Sequence, residues 1–421
     1  MPKNCPWWFS NMNALSAETI DQSVAAQYNC PVVFTQEVFN TANTSLIDVL
    51  HNRYQKYPQR AIVAIDEAVA CAHPALWEHL DVYFQCYGSV VELAHAPLFI
   101  DGGDAAKDNV AVQQHIHEVI YDKGLCQHSY VIAIGGGAVQ EVVGGAAASA
   151  KRGIRFVRIP TTVLTQCDAA IGVKNGADRV GGKNCHGTFS PPYAVINDFT
   201  FLSTLKERDW RAGIAEAVKV ALIKDGAFFQ YLSAHAEDLR KRNMQVMQAV
   251  IHRCASLHLE HSASSNDSVD INSSTSLTFG HWSAHKLEQL TRLRLRHGEA
   301  VAIGMALDST YSHLIGKLSF TAWKQILRTL ETVGFSLFVP ELVDNKVLQE
   351  LMESREPNGV EPSLTLLDGI GKSVEARVDF PLYMRAIAIL QRESYNTNLA
   401  RSVCITVERR GPSLGHLTQD L

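Results

Sequence analysis

The chain has 421 residues, more than one hydrophobic core usually serves, so two domains or one large α/β unit are expected. Hydrophobic residues make up 46% and charged residues 19%, a globular balance that argues against disorder, collagen-like repeats and a coiled coil. Lys and Arg total 38 against 43 Asp and Glu; a formal charge of −5 gives no case for nucleic acid or an anionic membrane, although a basic pocket for a phosphorylated metabolite can sit inside an acidic total. The nine cysteines form no Cys-x-x-Cys pair and are odd in number, which argues against a disulfide framework or a Cys-based zinc site and for a cytoplasmic protein. The N-terminus lacks a signal-peptide pattern, and no stretch approaches the roughly 20 apolar residues of a membrane span, so a soluble, unprocessed chain is expected.

Along the chain, short β-branched runs alternate with helical patterns: Ala61–Ile65, Pro97–Ile100, Tyr130–Ile134 and Arg155–Ile159. Such alternation predicts parallel strands joined by crossover helices. Each run ends in polar or glycine-rich residues (Asp66-Glu67, Asp101-Gly-Gly-Asp104, Gly135-Gly-Gly137, Pro160-Thr-Thr162), and open α/β sheets bind ligands beyond those strand ends. From about residue 200 the period becomes helical, with Thr204-Leu-Lys-Glu207 as an expected capping box and Ile214, Val218, Ala221 and Leu222 on one face. The expected fold is an α/β N-terminal dinucleotide-binding domain, residues 1–198, followed by a mostly α-helical C-terminal domain, residues 199–421, that binds metal and substrate. A Ser/Asn/Asp-rich loop is expected between Ser262 and Ser276, and a frayed tail from Gly411.

Three constellations can carry chemistry. Gly135-Gly-Gly137 lies between a predicted strand and a small-residue helix, where glycines let a pyrophosphate approach backbone amides; a plain tight turn is the alternative, because the Gly-x-Gly-x-x-Gly fingerprint is absent. Asp66, at a strand end, can accept ribose hydroxyls, and Asp104 with Lys107 adds an acid and a base at another strand end. His281 and His285 stand four apart, with His297 and Glu216 completing a His/His/Glu set that leaves coordination positions open on zinc. Chance pairs are expected among seventeen histidines, but the flanking Gly280, Gly298 and Gly304 and the apolar run Ala300–Met305 favour a buried, close-packed site. Lys174, Lys183 and Lys372 lie in glycine-rich surroundings, where a lysine and backbone amides can hold one phosphate; Arg152 and Lys219 add positive charge.

These residues together resemble the sugar-phosphate cyclases, whose founding member is 3-dehydroquinate synthase, over about residues 60 to 375. The ordered matches are Gly135-Gly-Gly-Ala-Val-Gln-Glu141, Lys151-Arg-Gly153, Pro160-Thr-Thr162, Asp168 to Lys174, Gly182-Lys-Asn184, Phe201 to Leu205, Ala215-Glu-Ala-Val-Lys219, Phe279-Gly-His281 and His297 to Met305. The resemblance implies a dehydroquinate synthase-like fold and NAD bound by Asp66, Asp104, Lys107, Gly136, Gly137, Thr161, Thr162 and Lys183. Glu141 belongs to the same set but stands where the family has Asp. It further implies Zn²⁺ or Co²⁺ on Glu216, His281 and His297, substrate hydroxyls on Asp168 and Lys219, and a phosphate pocket of Arg152, Lys174, Asn184, His285 and Lys372. Family members are commonly homodimers, with the residue matching Arg152 serving the neighbouring subunit's site.

The implied chemistry is transient oxidation of a ring hydroxyl, elimination of phosphate, return of the hydride and aldol closure to a carbocycle, with no net redox. Enzymes of this type that take a carboxylated substrate place arginine seven residues, and asparagine three residues, before the first metal histidine. Here those positions hold Ser274 and Thr278. A carboxylate without its arginine fork is costly to bury. The stretch Gly280 to Glu288 resembles the 2-epi-valiolone synthase branch. Sedoheptulose 7-phosphate, cyclised to a 2-epi-valiolone-type C7 cyclitol, is therefore the expected substrate. 3-Dehydroquinate synthase activity is the runner-up, with Arg253 or Lys286 as a possible carboxylate partner. A metal-dependent polyol or alcohol dehydrogenase and a cyclase-like scaffold without turnover are weaker alternatives.

Overall fold

The computed structural model describes residues 29–51, 57–103, 110–172, 174–179, 182–264, 278–347 and 363–408. Its first half is a wholly parallel seven-stranded sheet: β1 (Val32–Thr35), β2 (Gln59–Asp66), β3 (Val91–Leu93), β4 (Leu98–Ile100), β5 (Tyr130–Gly135), β6 (Arg155–Pro160) and β9 (Ala194–Asp198). The order is β1-β9-β6-β5-β2-β3, with β4 also on β2. Helices α1 (Leu76–Cys86), α2 (Val110–Asp122) and α3 (Gly137–Ser149) connect the strands. All four expected strands form, and the additional strands β1, β3 and β9 extend the sheet.

Side-chain alternation along β2 and β5 feeds two cores. Ala61, Val63, Ile65, Tyr130, Ile132 and Ile134 pack on one face. Ile62, Ala64, Val131 and Ala133 pack on the other, against Ile116 and Ile120 of α2 and Val139, Val143 and Ala147 of α3. Runs apolar at every position are what a sheet covered on both faces requires. An antiparallel hairpin, β7 (Lys174–Arg179) and β8 (Gly182–Phe189), lies against α3. Lys174 and Lys183, expected in glycine-rich loops, therefore sit on paired strands.

The second half is built on α4 (Glu207–Lys224), α5 (Gly226–Ala234), α6 (Met244–Ser264), α7 (His281–Leu290), α8 (His297–Leu314), α9 (Phe320–Val333) and α10 (Phe380–Glu408), with a small hairpin β10 (Ser363–Leu367) and β11 (Ser373–Arg377). Helix α8 is central: every residue from Ala300 to Tyr311 is almost wholly buried, and Thr310, Tyr311 and Ser312 take partners from neighbouring elements. Thus Trp323 Nε1 donates to Thr310 Oγ1, Leu367 N to Ser312 Oγ and Asp379 N to Tyr311 OH.

Two local readings are corrected. Helix α4 starts at Glu207 with Lys206 as an uncapped N-cap, so Thr204 and Glu207 form no capping box. The Thr204 hydroxyl is engaged with His73 Nε2 at 2.8 Å instead, because the turn Phe199–Thr204 directs it toward the sheet domain. Helix α6 runs on to Ser264, into the segment expected to be loop; residues 265–277 and the tail from Gly411 lie outside the described residues. Among the described residues no helix is long and apolar enough to cross a membrane.

Candidate active site

The carboxyl ends of β2, β4, β5 and β6 converge on the glycine-rich turn. Strand β5 ends at Gly135, Gly136 caps α3 without a side chain, and Gln140 from the first turn donates to the carbonyls of Ala133 and Ile159 at 3.0 and 3.2 Å. The turn is thus tied to the strand ends by the Gln140 side chain. Asp66 terminates β2, is buried, and accepts from Ala68 N at 2.9 Å; its carboxylate lies so close to Gly102 that a Cβ there would collide with it. Burial raises the Asp66 pKa against the opposing pull of the Ala68, Gly136 and Val69 amides. Thr161 N donates to Gly135 O, and Thr162 Oγ1 meets Thr165 Oγ1 at 2.6 Å, which places both threonines beside the turn. Asp104 and Lys107 lie outside the described residues.

The segment after β6 joins this edge to the helical half. It forms a single π-helical turn, Thr165–Ala169, an unusual device often found at functional sites. Buried Arg158 holds its C-terminal end by donating to Ala170 O and Gly172 O, both at 2.8 Å. Asp168 projects from this turn to Lys219 of α4, Oδ2 to Nζ 3.5 Å.

One turn before Lys219 on α4, Glu216 is buried beside the Lys219 ammonium, with which it pairs. Its Oε1 lies 3.5 Å from His281 Nε2 and 3.7 Å from His297 Nε2. Glycines make this approach possible: a Cβ at Gly298 would run into the Ala212 carbonyl of α4, and one at Gly304 into the Gly280 carbonyl. A backbone carbonyl and a carboxylate fix the two rings, His281 Nδ1 on Phe279 O at 3.1 Å and His297 Nδ1 on Glu288 Oε1 at 2.9 Å. Both rings therefore turn Nε2 toward Oε1 of Glu216, while the Lys219 ammonium lies against Oε2. A desolvated carboxylate and two oriented imidazoles are what a divalent metal needs, and the three ligand atoms lie within 4.8 Å of one another. The residues fit such an ion. Burial alone would raise the Glu216 pKa, but Lys219 and the two histidines outweigh it and hold the carboxyl well below its ordinary range. Burial likewise opposes the charge on His297, yet Glu288 and Glu216 prevail and raise its pKa.

Sequence reasoning missed two participants. Glu288, in the stretch Gly280 to Glu288, is the partner of His297. His258 of α6 is buried, with Nε2 at 3.7 Å from Asp168 Oδ1, so that Asp168 lies between two cations. Burial opposes the charge on His258, but Asp168 and Cys254 outweigh it and bring the imidazole to about 9. Neither link has a fixed sequence spacing that would reveal it.

The phosphate candidates separate. His285 stands beside the metal-type cluster, its ring centroid 5.9 Å from His281 and 6.0 Å from His297. Lys372 is exposed on the β10–β11 turn, and that turn docks on α4 through Gly371 N to Leu222 O at 2.7 Å. Lys174, Lys183 and Asn184 lie on the β7–β8 hairpin, their side chains outside the described ones. Arg152 is not brought to this site within one chain: it is exposed at the end of α3, just before β6 begins, on the sheet edge opposite the glycine turn. Thirteen residues of helix put about 20 Å between that end and Gly136. Glu141, half-buried, acts electrostatically on the Arg158 guanidinium, which burial lowers to about 10. Ser274 lies outside the described residues, while the Thr278 hydroxyl meets Thr365 Oγ1 at 3.3 Å, and Thr365 donates to Glu375. Arg253 is already engaged, its fork on Asp225 Oδ2 at 2.6 and 3.0 Å.

A glycine-rich sheet edge joined through Asp168 and Lys219 to a His/His/Glu cluster defines an enzyme with a composite site between two halves. The models of the 3-dehydroquinate synthase N-terminal and C-terminal domains match residues 97–212 and 213–356. A 3-dehydroquinate synthase of Coxiella burnetii (strain Dugway 5J108-111) is 36% identical over 262 residues, 61% of this chain and 73% of that one. A 2-epi-5-epi-valiolone synthase of Streptomyces glaucescens is 32% identical over 300 residues, 70% and 76% of the two chains. The solved 2-epi-5-epi-valiolone synthase from Streptomyces hygroscopicus subsp. jinggangensis 5008, with NAD⁺ and Zn²⁺ bound, superposes with a TM-score of 0.77 at 28% identity, covering 89% of this chain and 100% of that one. The chain belongs to the 3-dehydroquinate synthase family of sugar-phosphate cyclases, carbon–oxygen lyases that eliminate phosphate.

Proposed function

We propose that this cyclase converts sedoheptulose 7-phosphate to a 2-epi-valiolone-type C7 cyclitol, using NAD and a divalent ion, Zn²⁺ or Co²⁺. The observation that carries the cyclase reading is the continuity of charge from Asp168 through Lys219 to Glu216, which joins a hydroxyl-binding pair to the metal-type cluster. Glu216, His281 and His297 would hold the ion, and Asp66, Gly136, Gly137, Thr161 and Thr162 would hold the dinucleotide, with Asp104, Lys107, Glu141 and Lys183 as further members of that set. When bound, the pair supplies a transient hydride acceptor and a Lewis acid for a ring hydroxyl.

The chain's own residues do the rest. Lys219 and Asp168 orient the substrate hydroxyls, Lys219 donating and Asp168 accepting, and their contact holds the two side chains together. Glu216 is fully desolvated by α4 and α8, which strengthens every electrostatic contact around it. His285, Lys372, Lys174 and Asn184 stabilise the charge that gathers on the departing phosphate. Arg152, at the opposite sheet edge, serves the site of a second copy, so the active form is a homodimer. A cytoplasmic setting is part of the same reading, supported by a cysteine pattern without any Cys-x-x-Cys pair.

The substrate assignment is supported by Ser274 and Thr278 standing where arginine and asparagine would hold a carboxylate and, among the described residues, by Thr278 in hydroxyl contact with Thr365 and Arg253 paired with Asp225. Neutral hydroxyls suit this environment better than a carboxylate. The identity to 3-dehydroquinate synthases favours the second reading, turnover of the carboxylated heptulosonate 7-phosphate. Separate assays of phosphate release with each sugar phosphate decide between them, and stoichiometric NADH without phosphate release would instead point to a polyol dehydrogenase.

A further inference from the structure

Asp308 lies in the middle of α8, fully buried, and takes no part in the chemistry above. Three donors converge on its carboxylate: Gly280 N on Oδ2 at 2.8 Å, and Trp282 Nε1 and Tyr383 OH on Oδ1 at 2.9 and 2.8 Å. Gly280 and Trp282 are the two chain neighbours of His281. Gly280 adopts φ +76° and is wedged against Val301, Gly304 and Met305 of α8, so its N–H points into the helix, where only a side-chain acceptor can satisfy it. The Trp282 ring meets Tyr383 of α10 edge-on at 5.3 Å, and Tyr383 stacks on Tyr311 of α8 at 4.1 Å. An apolar side chain at position 308 would fill the space without the cost of burying a carboxylate, so packing alone does not call for Asp here.

We infer that Asp308 is a positioning residue for the metal site, holding His281 in register with His297 by clamping both chain neighbours of one ligand onto the helix that carries the other. The inference rests on the reading of Glu216, His281 and His297 as metal ligands. Helix α8 begins with His297 and carries Asp308 three turns later, so displacement of Gly280 or Trp282 from Asp308 changes the distance between the two ligand rings directly. Tyr383 belongs to the same network but touches neither neighbour's backbone; it supports the carboxylate from behind.

The test is Co²⁺ binding to metal-stripped protein, followed by competition with a chelator and by the visible absorption of the bound ion, beside a thermal melt of each metal-free variant. Wild type should bind one equivalent per chain. Asp308→Asn places an amide donor against at least one N–H or O–H and should weaken Co²⁺ about 10- to 100-fold and shift its absorption. Trp282→Phe, which removes one donor beside His281, should weaken it several-fold, whereas Tyr383→Phe should lower the melting temperature with little change in affinity or spectrum. If Asp308→Asn and Trp282→Phe bind Co²⁺ with wild-type affinity and spectrum while melting earlier, Asp308 is only a structural residue and the inference fails. If Asp308→Asn does not fold, Trp282→Phe against Tyr383→Phe still decides. Failure of wild type itself to bind Co²⁺ would overturn the metal reading, a separate outcome.

Discussion

The two halves of the site are built by opposite means. At the sheet edge the binding surface is backbone: one glycine turn, a helix start without a capping side chain, and strand ends spaced by the sheet. In the helical half it is side chain: Glu216, His281 and His297 come from three helices and meet only because α4, α7 and α8 touch at glycines. A backbone site tolerates side-chain replacement around it, and a side-chain site held by close contacts does not. Substitutions in the helical half should therefore have the larger effects.

The largest effect is expected from the ligands. His281→Ala or Glu216→Ala should lose bound metal and reduce phosphate release about 10³-fold or more, several kcal/mol of transition-state stabilisation, while NAD affinity persists. Full turnover by metal-depleted His281→Ala would break the division between the halves. Next comes Gly298→Ala, whose Cβ meets the Ala212 carbonyl; we expect about 3 kcal/mol of lost stability in urea unfolding together with lost metal, whereas unchanged stability would mean that α4 and α8 separate freely. Lys219→Ala should keep its metal by elemental analysis yet turn over about 10²-fold slower. On the other side, Asp66→Asn should weaken NAD about tenfold by calorimetry without changing metal content.

A pH-dependent effect sharpens the junction. His258 is raised to about 9 from an ordinary 6.5, burial opposing and Asp168 favouring the charge. Because the folded value is the higher, the stabilisation is complete below about pH 6.5 and fades as pH climbs through about 9. The wild type should thus lose stability across that window relative to His258→Gln, measured by denaturant unfolding at both ends; parallel curves for the two proteins would remove His258 from the pairing with Asp168.

What could be read from the sequence follows the same division. The β2, β4, β5 and β6 strands and the glycine turn are local patterns, and each falls where its residues predict. The Glu216, His281 and His297 cluster was legible by residue type, since these residues stand among glycines that signal close packing. Glu288 and His258 were not, because a carboxylate finds its imidazole through helix packing and carries no spacing rule of its own. Thr204 misled as a helix cap because a tertiary contact with His73 took its hydroxyl. Arg152 reads as part of one basic set in the sequence, and only the course of α3 shows it on the far sheet edge.

The central claim is tested most directly by incubating the NAD- and Zn²⁺-loaded protein with sedoheptulose 7-phosphate while recording inorganic phosphate and NADH absorbance together. The account predicts one phosphate released per sugar consumed, a cyclitol in the product NMR spectrum and no net NADH. Release of phosphate from the carboxylated heptulosonate 7-phosphate but not from sedoheptulose 7-phosphate would contradict it.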